Sequence, residues 1–181
     1  MGDPRKPKKQ YTKPLHPWNK DRIELEKELT KTYGFKNKKE IWKMNSILHN
    51  YTAQAKKSIV ATSAQGEIEK KNMIAKLVKL GLIKEGGQID DILSLTVKDI
   101  CERRLQTIVS KKNLARSVKQ ARQFIIHGHI NIGDRKVSVP SYLVSVGEEP
   151  LICFSQNSEL SREDHPERAL KEKEAKAAKP K

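Results

Sequence analysis

A chain of 181 residues with 37 Lys and Arg against 22 Asp and Glu carries a formal net charge of +15. Such a chain repels itself unless a polyanion neutralises it, so nucleic acid is the expected partner. The hydrophobic fraction of 36%, with 5% aromatics, is low beside the roughly 45 to 50% of an ordinary globule and fits a modest core with basic extensions. No apolar run approaches the roughly 18 residues that cross a bilayer, and the opening MGDPRKPKKQ lacks the apolar stretch of a secretory signal; the expected location is the cytoplasm.

Residues 1–20 hold six Lys or Arg against one acid, and Pro4, Pro7, Pro14 and Pro17 keep them from being helical. The expectation is an extended basic arm in which Arg5, Lys6, Lys8, Lys9 and Lys13 meet phosphates, while Tyr11, His16 and Trp18 stack on bases or pack on the protein. From Asn19 the pattern turns helical, with Leu25, Leu29 and Tyr33 four apart and Gly34 as the stop. A second helix starts at Asn37, with Glu40 completing a capping-box-like arrangement. Its stripe of Ile41, Met44, Leu48, Tyr51, Ala55 and Ile59 marks a long amphipathic helix whose apolar side is core. Around its start Lys36, Lys38, Lys39 and Lys43 oppose the helix dipole, a cost that a phosphate would remove, and Trp42 beside them either packs or stacks on RNA.

A third helix is predicted over Ile68 to Leu80, ended by Gly81, with a loop at Gly86 and Gly87. Thr96 and Asp99 cap a fourth, which carries Val97, Ile100, Leu105, Ile108 and Val109 on one side. Residues 21–101 thus read as a helical domain. The two cysteines, Cys101 and Cys153, lie far apart in apolar surroundings and read as buried thiols, with a disulfide between them the minor alternative.

Between Arg103 and Lys136 there are nine basic residues and one acid, a local charge of +8. Ser117 and Gln120 form a Ser-x-x-Gln capping box, Val118, Ala121 and Ile125 share one helical face, and Gly128 ends the helix. The other face displays Lys119, Arg122 and Gln123. Preceded by a basic helix and the Lys111, Lys112, Asn113 turn, this makes a helix-turn-helix-like pair suited to lie against phosphates, with Arg103, Arg104 and Arg116 among the contacts. A β-hairpin follows: His129 to Ile132, a turn at Gly133 and Asp134, then Lys136 to Val139, with Arg135 and Lys136 extending the basic surface. Two further short strands, Leu143 to Val146 and Leu151 to Phe154, complete a small antiparallel sheet.

The expected fold is therefore α+β: a helical N-terminal domain, then a small RNA-binding domain over 102–160 in which the helix-turn-helix-like pair packs on a short antiparallel sheet, with basic terminal extensions. The tail from 161 to 181 reads as a flexible accessory. His127 and His129 straddle a helix stop without a third ligand at suitable spacing, which favours a structural or RNA-facing role over metal binding. Phosphate contacts fix position and affinity; base-specific reading is not supported by these residues.

At this point the stretch ERRLQTIVSKKNLARSVKQARQFIIHGHINIGDRKVSVPSYLV resembles the RNA-binding domain of the small-ribosomal-subunit protein four family. The resemblance rests on Glu102 to Leu105, Ala115 to Ser117, Gln120 to Gln123, His127-Gly128-His129 and Pro140-Ser141-Tyr142. GDPRK, His16-Pro17-Trp18, and Tyr33-Gly34 followed by KNKKEIW resemble the archaeal and eukaryotic branch. The hairpin departs from the bacterial Val-Asn-Gly with Asn131-Ile132-Gly133-Asp134, and the zinc-binding cysteine cluster of some bacterial members is missing, so neither metal nor cofactor is expected. The resemblance implies direct binding to a junction of small-subunit ribosomal RNA, early joining of the assembling subunit, and a place near the path by which mRNA enters. It further implies neighbours in small-subunit proteins five and three, and a non-catalytic contribution to translational accuracy.

Three rival readings compete with this one. The same module occurs in pseudouridine synthases and some aminoacyl-tRNA synthetases, but this chain offers no Gly-rich phosphate loop, metal constellation or nucleophile and base pair. A DNA-binding architectural protein would use the helix pair in a major groove, a geometry that the hairpin and arm fit poorly. A ribosome-associated recycling or stress factor would use the same module substoichiometrically.

Overall fold

The computed structural model describes residues 9–61, 63–162 and 165. Arg5, Lys6 and Lys8 of the expected arm, and nearly all of the expected tail, lie outside the described residues.

Asn19 opens α1 (Lys20–Tyr33) by accepting from the Arg22 amide, and Gly34 closes it at φ +61°, a left-handed turn that glycine adopts without a Cβ clash. The stripe predicted on α1 is rotated: Leu29 and Tyr33 pack into the core, but Leu25 is 58% exposed and Glu26 is buried at 4%. Glu26 tolerates burial because Arg22, Lys38 and the Trp42 indole N–H all reach its carboxylate, at 3.1, 3.3 and 3.0 Å. Along α2 (Lys38–Val60) Ile41, Met44 and Ala55 are buried as expected, whereas Ile59, near the end, is exposed. The expected capping box at Asn37 does not form. The Asn37 side chain makes no cap bond, and arginines described below take the Glu40 carboxylate.

α3 (Ala64–Lys79) begins before Ile68, because Ser63 caps it through the Gly66 amide at 3.1 Å. A short α4 (Ile89–Ser94), absent from the sequence reading, follows the glycine loop; its Ile89 and Ile92 fill a cluster with Ala55, Met73, Leu77 and Ile83. The predicted fourth helix is two. α5 (Val97–Glu102) starts where the Asp99 carboxylate accepts from the Thr96 amide at 2.8 Å, but the chain turns extended at Arg104 before α6 (Leu105–Lys111). Arg104 pairs in a β-bridge with Leu143, and the Tyr142 carbonyl accepts from the Leu105 amide at 2.8 Å. The 140–143 loop therefore supplies the partner that an uninterrupted helix would have supplied itself.

Ser117 caps α7 (Val118–Ile126) through the Gln120 amide, but the Gln120 side chain reaches the Arg116 amide at 2.7 Å, one residue before the cap, so the box closes early. After Gly128 come β1 (Ile130–Ile132), β2 (Arg135–Lys136) and β3 (Ile152–Phe154), antiparallel in the order β2-β1-β3. Asn131 faces Lys136 across one edge and Cys153 across the other. Leu143 to Val146 is not a strand: apart from the Arg104 bridge it runs as a loop into the turn at 147–149. Cys153 is exposed, against expectation, because strand alternation sends Ile152 inward and its neighbour outward. Cys101 is buried as a free thiol, and burial pushes it up to about 12.

Among the described residues the core falls into three apolar clusters. Leu105, Ile108, Val109, Ala121, Phe124, Ile125 and the sheet residues form one. Tyr33, Phe35, Ile41, Met44, Ile100 and Cys101 form the second, against which Leu143 also packs, and the α2, α3 and α4 residues form the third. α2 runs through the last two, so it ties α1 and α5 to α3 and α4.

Candidate nucleic-acid interface

The residues expected to meet phosphate divide by what surrounds them. Arg104 is 0% exposed. Its guanidinium stacks over the Phe35 ring at 4.5 Å and donates through Nη2 to Glu40 at 2.9 Å. Arg122, on α7, grips the same carboxylate with both terminal nitrogens, at 3.1 and 2.7 Å. Burial raises the Glu40 carboxyl, but the hydrogen bonds and charges of Arg122 and Arg104 outweigh it and hold the group below the usual carboxylate range. Burial pulls Arg104 down from its ordinary value, with Glu40 opposing. One acid thus joins α2 to the residue that precedes α6 and to α7.

Arg103 is partly buried, bonded to Glu149 at 2.9 Å and to the Val144 carbonyl at 3.1 Å. Arg103, Arg104 and Arg122 were expected to meet phosphate; each is also bonded to a protein acceptor, and each keeps at least one guanidinium nitrogen outside those bonds. Lys112 donates to the Glu149 carbonyl, Lys111 pairs with Glu102 at 3.2 Å, and Lys38 pairs with Glu26. Arg135 lies within 3.5 Å of Glu148 and beside the Tyr142 ring, while remaining well exposed. Asn113 takes a left-handed φ of +61° in the turn between α6 and α7.

The arm and the helices meet in a cleft of about 590 Å³ lined by Lys9, Tyr11, Lys39, Glu40, Lys43, Arg104 and Arg122, with Pro140 and Ser141 on its rim. The sequence separates these residues into an arm, a helix start and a C-terminal module; the fold brings them to one place. Tyr11 lies against Trp42 at 6.1 Å between ring centres, with the Lys9 ammonium 4.9 Å above its ring, and the Thr12 amide donates to Ser46. Trp42 therefore packs within the protein, as one of the two readings held. Trp18 is 89% exposed, and His16 and Lys13 are exposed beside it. Lys36 is exposed just before α2.

A second hollow, of about 550 Å³, lies along the other side of α7 between Gln120, Gln123, His127, Lys136 and the 155–159 turn. Lys119, Arg116 and Gln123 are exposed on that helix and its approach. His129 is held by Ser158, with Nδ1 2.8 Å from the hydroxyl, and the exposed His127 ring lies nearly parallel to it at 6.2 Å. No group of three or more His, Cys, Asp or Glu side chains among the described residues is arranged to hold a metal ion. No helix among them is long and apolar enough to cross a membrane.

The S4 domain family matches residues 103–150. A small ribosomal subunit protein uS4 from Methanococcus aeolicus is 50% identical over 176 residues, covering 97% of this chain and 99% of that protein. The same protein from Methanococcus maripaludis is 48% identical over 169 residues, covering 93% and 95%. The chain belongs to the uS4 family of small ribosomal subunit proteins. The uS4 relatives are components of a ribosomal subunit, and the family is a structural, non-enzymatic one of archaeal representation here.

Within this chain the S4 match takes in α6, α7, β1 and β2, and stops before β3 and the Ser158 contact. Two residues that organise the site escaped the sequence reading in this role. Glu40 read as a cap, and Gln106 gave no signal at all, yet its buried amide donates to the Gly34 carbonyl at 3.2 Å and to the Val118 carbonyl at 2.9 Å, tying the α1–α2 corner to the start of α7.

Proposed function

We propose that this chain is a non-catalytic constituent of the small ribosomal subunit that binds small-subunit rRNA directly. The RNA-facing surface comprises the cleft at Lys9, Lys39 and Lys43 and the α7 side with Arg116, Lys119, Gln123 and Lys136. The observation that carries this reading is the cleft in which Lys9 of the arm and Lys39 and Lys43 of α2 meet Arg104 and Arg122 of the S4 domain. Dense positive charge around a rigid scaffold suits a folded RNA, whose phosphates supply most of the affinity.

Division into a helical part over 21–101 and an RNA-binding part over 102–160 belongs to the same proposal, with the first supplying lysines and the second the S4 scaffold. Family resemblance supports the finer assignments: early joining during assembly, a place near the mRNA path beside small-subunit proteins five and three, and a contribution to accuracy. Exposed Trp18 and His16 on the arm are available to stack on bases there. In the cell the protein would sit in the cytoplasm within the subunit.

Competition binding tests the central part. A structured small-subunit rRNA fragment should remain bound when duplex DNA is added at comparable concentration, and the affinity should fall steeply with salt. Displacement by duplex DNA would contradict the proposal, and substoichiometric sedimentation with subunits would point to an accessory factor.

A further inference from the structure

The Glu40 cluster is unbalanced. Two guanidinium groups share one carboxylate, and three of their nitrogens, Arg104 Nε, Arg104 Nη1 and Arg122 Nε, are buried without a hydrogen-bond partner among the described residues. Buried donors left in that state are destabilising, more so when charged, so a native protein rarely keeps them without an acceptor in prospect. Arg104 and Arg122 line the 590 Å³ cleft together with Lys9, Lys39 and Lys43. Five cations therefore face one carboxylate, a net of +4 around a space that Glu40 alone does not neutralise.

We propose that this cleft is a specific oxyanion site that takes one backbone phosphate of RNA, as the second anion of the Arg104–Glu40–Arg122 cluster. The proposal rests on the rRNA-binding reading and names the atoms at its centre. A phosphodiester offers two non-bridging oxygens, acceptors for the guanidinium nitrogens of Arg104 and Arg122 that Glu40 leaves without a partner, while the lysines, as flexible point charges, close on the phosphate from their own side of the cleft. Dense negative charge favours RNA over an acidic peptide, because neighbouring phosphates along the strand can also be met by the lysines that the central phosphate does not engage. Since Lys9 belongs to the arm, Lys39 and Lys43 to α2, and the arginines to the C-terminal part, a phosphate here would fasten all three together.

The test uses the full chain with inorganic phosphate as the probe, read by the arginine Nε–H resonances of Arg104 and Arg122 at constant ionic strength. The expected result is a saturable shift of both resonances that chloride does not reproduce. It should be weakened about tenfold in the Lys39→Gln/Lys43→Gln variant, whose substitutions leave Glu40 and its two arginines in place. In parallel, that variant should bind the rRNA fragment with a salt slope lower by about 1.5 than the unaltered chain, as loss of two phosphate-facing lysines requires. A shift linear in phosphate and matched by chloride overturns the site. Wild-type binding to RNA with no change of slope in the variant overturns it while leaving the rRNA reading intact. Saturable phosphate binding by a chain that does not bind the RNA defeats the rRNA reading and this proposal together, as does displacement of RNA by polyglutamate at lower concentration.

Discussion

Glu40 holds two arginines that lie 64 and 82 positions away in the chain. Its removal would leave Arg104 fully buried without a counter-charge, and breaking such a pair typically costs 3 to 5 kcal/mol. Glu40→Ala should therefore lower unfolding stability by about 3 kcal/mol in denaturant titration. The pH dependence follows from the depressed carboxyl. In the unfolded chain the group titrates near its ordinary value of about 4.3, and in the fold it titrates lower. Its stabilisation is thus complete above the unfolded value and lost as pH falls through the folded one. Glu40→Gln should flatten the acid limb of a stability-versus-pH curve, and an unchanged limb would show that Glu40 is not the group responsible. Charge at Arg103, Arg104 and Arg122 was legible in the sequence, but its partner was not, since pairing at such separations depends on the fold. For the same reason, these arginines report poorly on RNA binding: truncating them disturbs the scaffold first.

At the scale of elements, what local chemistry dictates was legible. Asn19, Thr96 with Asp99, and Ser117 each start a helix where their side chains indicated, and Gly34, Gly81 and Gly128 turn left-handed where a stop was expected. Ser117→Ala should cost about 1 kcal/mol, read as a lower thermal midpoint, because the Gln120 amide loses its acceptor. What failed depended on distant partners. The apolar period from Val97 to Val109 continues across Arg104, yet the helix breaks there because Leu143 and Tyr142 supply the bonds. Likewise Leu143 to Val146 alternates like a strand but has no neighbouring strand to complete a ladder, and α4 was too short for its period to register.

For the whole molecule, the sequence suggested two separate basic surfaces, the module from Arg103 to Lys136 and a second around the arm and Asn37. The fold brings members of both to one cleft, because α2 runs from that cleft into two of the three apolar clusters and the arm lies back along it. The central claim, that small-subunit rRNA lies against this cleft and the hollow along α7, is tested most directly by lysine acetylation of the full chain with and without the rRNA fragment. Protection is predicted at Lys9, Lys39, Lys43, Lys119 and Lys136, with no change at the exposed Lys56, Lys57, Lys70 and Lys71 on α2 and α3. Protection confined to those last four lysines would contradict it.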